Sequence, residues 1–176
     1  MTSLSHHHKK LCEWQLISEH EDICWRYKIP IETPVIHISK NTHQIGQWSP
    51  ERRQIALSES LIAQHTWDCV VNVFKHEIAH QIVTDLFGDN DSSAHGPRFQ
   101  EACDRIHCFG PFRQACGELP ADTKIDPDIE PPEEYKRVSE KVNKLLSLAN
   151  SDNEHEALLA MQQAHRLQEK YNLDQL

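Results

Sequence analysis

Apolar residues along this chain recur first at helical, then at strand, then again at helical spacing. Leu11, Trp14, Ile17 and Cys24 predict a helix over 9–27, ended by Pro30 and Pro34. Val35-Ile36-His37-Ile38 is short and β-branched, which predicts a strand. Residues 44–48 and 53–57 read as the arms of a hairpin around Ser49-Pro50-Glu51-Arg52, where proline suits an early turn position. A short helical connection over 58–64 follows. The strongest element is predicted over 67–87, with Thr66 as N-cap, Asp68 in the first turn and Gly88 just past the end. Its expected buried stripe is Trp67, Val70, Val71, Phe74, Ile78, Ile82 and Leu86. After a polar loop over 89–93, Pro97 is placed to open another helix, with Phe99, Ala102, Cys103 and Ile106 on one face.

The pattern changes at 117–134. Pro120, Pro127, Pro131 and Pro132 alternate there with Asp122, Asp126, Asp128, Glu130, Glu133 and Glu134, the composition of an acidic, partly extended linker. Two amphipathic helices follow. Val138, Val142, Leu145, Leu146 and Ala149 mark one face of the first. Ser151-Asp152-Asn153-Glu154 resembles a capping box that opens the second, with Leu158, Met161, Ala164, Leu167 and Tyr171 along it. A lone hairpin of about 40 residues is marginally stable, so it is expected to dock or to self-associate. The expected organisation is a domain over 1–116, a linker over 117–134 and a helical hairpin over 135–176.

Composition narrows the classes. The chain has 176 residues, 38% of them hydrophobic, and a mean hydropathy of −0.64. Its longest near-apolar run, Cys69-Val70-Val71-Asn72-Val73-Phe74, is far short of the roughly 20 residues a membrane span needs. Residues 1–10 lack the apolar core of a secretory signal, so a cytoplasmic location with reduced thiols is expected for the six cysteines. A net charge of −9 does not support nucleic-acid binding as the main activity, since that affinity comes largely from neutralising phosphates. Histidine is the unusual residue, with 13 copies.

His76-Glu77-Ile78-Ala79-His80 matches H-E-x-x-H inside the strongest helix. Histidines four apart share a helical face, so both can reach one zinc ion at about 2.0–2.1 Å. Glu77, one step round the helix, suits a general base acting on a zinc-bound water. Composition alone would produce such a pentapeptide roughly 0.09 times per chain. The capped amphipathic helix around it makes coincidence a poorer explanation. A catalytic zinc takes a third protein ligand, and Asp85, Asp89, Asp91, His95 and Glu101 are the downstream candidates. Asp85 is rotated off the His76/His80 face. His95 follows the helix end, where the loop can fold back and present it, and it is the favoured third ligand.

Together with His95-Gly96-Pro97-Arg98-Phe99, these residues resemble the SprT-like (Spartan-type) zinc metallopeptidase domain, in which H-E-x-x-H is followed by a separate H-G-x-x-F. Ile45-Gly46-Gln47-Trp48 and Gln54-Ile55-Ala56-Leu57-Ser58-Glu59-Ser60-Leu61 resemble the hairpin and following helix of that family. The resemblance implies an α+β zincin-like fold with a small antiparallel sheet and an active-site helix, zinc at His76, His80 and His95, and Glu77 as catalytic base. It also implies proteolysis, in some members of proteins crosslinked to DNA. Cys103, Cys108 and Cys116 lack the C-x-x-C spacing of the zinc ribbon that follows the domain in many members. Lys141-Val142-Asn143-Lys144-Leu145-Leu146-Ser147-Leu148-Ala149 and the segment after it are similar to a small helical domain of unknown function found in bacterial and phage proteins.

The expected function is therefore that of a zinc metalloendopeptidase of the H-E-x-x-H type, hydrolysing protein substrates with Glu77 activating the zinc-bound water. DNA-associated proteins stand among the substrates that the resemblance allows. The alternative is a non-catalytic metal-binding or interaction protein whose hairpin docks a partner. A structural zinc site normally has four protein ligands and no general base, so Glu77 and three ligands favour the enzyme. Arg98 and His107 are the candidates for stabilising an oxyanion.

Overall fold

The computed structural model describes residues 4–40, 44–88, 93–114, 119–125, 133–148 and 154–171. The chain divides into two compact units, Met1–Lys124 and Ile125–Leu176. The first is a mixed α+β unit, and the second contains a pair of helices.

Helix α1 (His6–Tyr27) opens earlier than apolar spacing predicts, because Ser5 caps it: its hydroxyl accepts the His8 amide at 3.1 Å. It stops at Lys28, whose φ of 55° is left-handed and turns the chain so that the Ile29 amide reaches the Cys24 carbonyl at 2.9 Å. Its buried residues are Cys12, Leu16, His20 and Ile23, whereas Trp14 is exposed. The expected stripe is thus displaced around the helix. The reason is His20, a residue that an apolar pattern skips and that the fold buries completely.

Strands β1 (Val35–Ser39), β2 (Gly46–Ser49) and β3 (Gln54–Ser58) form a sheet in the order β1-β3-β2. The 50–53 turn makes β2 and β3 antiparallel, but β1 lies parallel to β3. The sheet is therefore mixed, which corrects the expectation of an antiparallel one. Residues 40–53 are long enough to reverse the chain before β3 pairs with β1. Ile36 and Ile38 face inward and Val35 and His37 outward, the alternation of a half-covered strand. Helix α2 (Glu59–Gln64) is capped by Ser58, whose hydroxyl accepts the Leu61 amide at 3.1 Å.

Helix α3 (Trp67–Ile82) runs into a π-helical turn, Val83–Phe87, instead of staying α-helical to Phe87. At the junction Thr84 Oγ1 donates to the His80 carbonyl at 3.0 Å, a back-bond of the kind that bends helices. Gly88, at φ 71°, ends the element. Val73, Ala79 and Gln81 are buried as well as Val70, Phe74, Ile78 and Ile82, while Leu86 is exposed. Elements pack on more than one side of α3, so its apolar surface exceeds a single stripe.

Helix α4 (Pro97–Arg105) closes with a Schellman turn. His107 adopts φ 54°, its amide bonds the Asp104 carbonyl at 3.4 Å, and the Cys108 amide bonds the Cys103 carbonyl at 2.9 Å. The turn brings Cys108 back against Cys103, both fully buried. A 3-10 turn, Gly110–Arg113, returns the chain towards α3. Within the segment read as linker, Ala121–Thr123 form another 3-10 turn. The Thr66 amide donates to the Thr123 carbonyl at 2.9 Å, and His65 forms a bridge with Lys124. Five cysteines are free thiols among the described residues; Cys116 lies outside them.

In the second unit α5 (Glu133–Leu148) and α6 (Glu154–Tyr171) pack on each other. Among the described residues the buried positions are Val142, Ala160 and Ala164, with Leu158 and Met161 exposed. Of the positions expected along α6, Ala164 is thus buried, whereas Leu158 and Met161 are not. Alanines are small enough to be buried where two helices approach closely. Most of the predicted capping box, 151–153, lies outside the described residues. No helix among them is long and apolar enough to cross a membrane.

Candidate metal centre

His76 and His80 stand one turn apart on α3, and His95 is delivered by the loop before α4. Hydrogen bonds hold that loop. The Gly96 amide donates to the Ser93 carbonyl at 3.0 Å, the His95 amide to the Ser93 hydroxyl at 3.4 Å, and Gln100 Nε2 to the His95 carbonyl at 3.3 Å. The three imidazoles converge through Nε2. His80 Nε2 and His95 Nε2 each lie 3.2 Å from His76 Nε2, and one ligand atom from each residue falls within 4.8 Å of the others. Zinc–nitrogen distances of about 2.0–2.1 Å in a tetrahedral site place nitrogens about 3.3 Å apart. The observed spacing fits such a site.

The tautomer of His76 is set from behind. Its Nδ1 donates to the Phe112 carbonyl at 2.6 Å, which leaves Nε2 with a lone pair facing the cluster. Burial lowers the pKa of all three histidines. His80 falls to about 3, pushed down first by burial and then by His76 and His95. Neutral imidazoles with converging nitrogens are the donor set that borderline-soft divalent cations bind. Phe99 supports all three rings from one side, with ring centres at 4.9, 4.4 and 4.7 Å from those of His76, His80 and His95.

Glu77 is buried on the same helix. Burial pushes its carboxyl up to about 8, while the Trp48 amide, donating to it, pulls the other way.

The remaining candidates are elsewhere. Asp85 pairs with Arg53 and accepts from Gln81 Nε2 at 3.3 Å. Glu101 is exposed and pairs with Arg105 at 2.7 Å. Asp89 and Asp91 lie outside the described residues. Of the two oxyanion candidates, Arg98 donates to the carbonyls of Phe87 and Gly88, tying α4 to the end of the π-helical turn. His107 packs against Tyr27 and Phe109 with tilted rings, their centres at 4.9 and 5.4 Å. Sequence reasoning did not assign the Phe112 carbonyl, the Trp48 amide or the ring-supporting role of Phe99. Only Phe99 carried a signal, its place in H-G-x-x-F.

Residues 14–124 match the SprT-like family, and residues 137–175 match a family described as a protein of unknown function, DUF2786. A search of curated proteins finds no match, and neither does a search of solved structures.

Proposed function

The chain belongs to the SprT-like family, and from that premise we propose that it is a zinc-dependent metallopeptidase, zincin-like in fold, that hydrolyses peptide bonds of protein substrates. The observation that carries this reading is the convergence of three histidine Nε2 atoms at 3.2 Å, beside a buried carboxyl. His76, His80 and His95 are the ligands, leaving a fourth position open as in catalytic zinc sites. Bound there, zinc supplies Lewis acidity, polarising the scissile carbonyl and lowering the pKa of water towards about 7. Glu77 takes the proton of the attacking water and returns it to the leaving amine. Phe112 fixes the ring orientation of His76 through its carbonyl, and Phe99 keeps the three rings from collapsing towards the core. With a net charge of −9 the chain has no overall attraction to phosphates, so the proposed partner is protein.

The test is Glu77→Gln. The amide keeps the shape and cannot accept the proton, so zinc content should stay at one per chain while cleavage of an unfolded protein substrate falls about 10²- to 10⁴-fold. Near-normal turnover by the zinc-loaded variant would mean that the cluster holds metal without Glu77 as its base.

A further inference from the structure

Gly46 opens β2 directly against the Glu77 side chain. A Cβ at Gly46 would lie 2.5 Å from Glu77 Oε1 and 3.1 Å from both Cγ and Cδ. The obstruction therefore runs along the carboxyl group and the carbon that bears it. Glu77 has little room to give way, because it is 5% exposed in the middle of α3 and the Trp48 amide holds its carboxylate. Gly46 is equally fixed. It pairs with Leu57, and the Ile45 carbonyl before it accepts the Ser58 amide at 2.8 Å. Its φ is not positive, so strand geometry does not call for glycine here. What calls for it is the space that the carboxylate occupies.

We propose that Gly46 is a positioning residue: its missing side chain and the Trp48 amide together form a seat on β2 that fixes the Glu77 carboxylate beside the three histidines. This role rests on Glu77 being the base. An added methyl would displace the carboxylate, and a misplacement of about 1 Å can cost about 10²-fold in rate. The ligands themselves are untouched, so metal binding should not change.

The test combines kinetics with a stability cycle. Zinc-loaded Gly46→Ala should lose about 10- to 100-fold in kcat on a protein substrate, with KM and zinc affinity changed less than about 3-fold. In metal-free protein, Gly46→Ala should lower the unfolding midpoint by at least about 4 °C. In a Glu77→Ala background, where the space is vacated, the same change should cost little. The double variant also stands in should the single one fail to fold. A midpoint loss of equal size in both backgrounds, or an unchanged kcat, would overturn the seat. The stability cycle needs no turnover. A fully active Glu77→Gln would therefore remove the base while leaving the coupling measurable, and absent coupling would remove the seat even if Glu77→Gln were inactive.

Discussion

His20 behaves as a core residue. Its Nε2 donates to Gln81 Oε1 at 3.1 Å, and that direction is set because the Gln81 amide nitrogen already donates to the Glu32 carbonyl at 2.7 Å. Nδ1 is then free to accept the Cys24 thiol at 3.6 Å, and burial keeps that thiol protonated by raising its pKa to about 11. Burial also lowers the pKa of His20, against the pull of Gln81 and of the nearby Glu21 and Asp85. The folded value lies below the unfolded value near 6.5, so the stability that His20 contributes is complete above that pH. It is lost as the pH falls, with a slope of at most about 1.4 kcal/mol per unit. His20→Gln keeps a donor without the titration. The stability advantage of the wild type over this variant should therefore shrink from pH 7 to pH 5. Urea unfolding followed by tryptophan fluorescence checks this, since all four tryptophans (14, 25, 48 and 67) lie in the first unit. A difference independent of pH would contradict it.

Residue spacing made His76 and His80 legible, because a helix converts a gap of four into a shared face. His95 was legible because a helix end and a proline frame it. Gly46, the Trp48 amide and the Phe112 carbonyl were not. Each acts through the approach of one element to another, and the backbone groups among them carry no side-chain signature at all.

Among elements, type and rough extent were readable and pairing was not. A short β-branched run marked β1 and a hairpin turn marked β3 as strands, but nothing in Val35-Ile36-His37-Ile38 says whether its neighbour runs parallel. On α6 the apolar pattern ran through Leu158, Met161, Ala164, Leu167 and Tyr171; among these Ala164 is buried while Leu158 and Met161 are exposed, and Ala160 is buried besides. Large side chains attract notice in a sequence, yet two of the buried positions on this helix are alanines. Ala160→Leu or Ala164→Leu should accordingly destabilise the hairpin by about 1–3 kcal/mol through overpacking. Leu158→Ala should stay within about 0.5 kcal/mol, as exposed substitutions do. Amide hydrogen exchange in α5 and α6 would measure both, and the reverse order would place Leu158 rather than the alanines in the contact.

Across the whole molecule, the acidic proline-rich composition of 117–134 reads as a linker, the two compact units meet at Lys124 and Ile125, and two family matches, at 14–124 and 137–175, lie on either side of residues 125–136. Composition could not show that Thr123 accepts the Thr66 amide at the start of α3, since that bond joins positions far apart in sequence. The candidate metal centre has the same character. Its three histidines come from α3 and from the loop before α4, and a third segment, through Phe112, holds one of them.

The central claim is that His76, His80 and His95 together hold one zinc ion. It is tested most directly by titrating zinc into the metal-free chain against a chromogenic chelator. His6, His7 and His8 are best changed to alanine throughout, so that the N-terminal run cannot contribute. One zinc per chain is predicted for this parent, with affinity falling by more than about 10²-fold in His95→Ala and by less than about 10-fold in Asp85→Asn. A parent chain that takes up no zinc, or a His95→Ala variant that binds it as tightly as the parent, would contradict the claim.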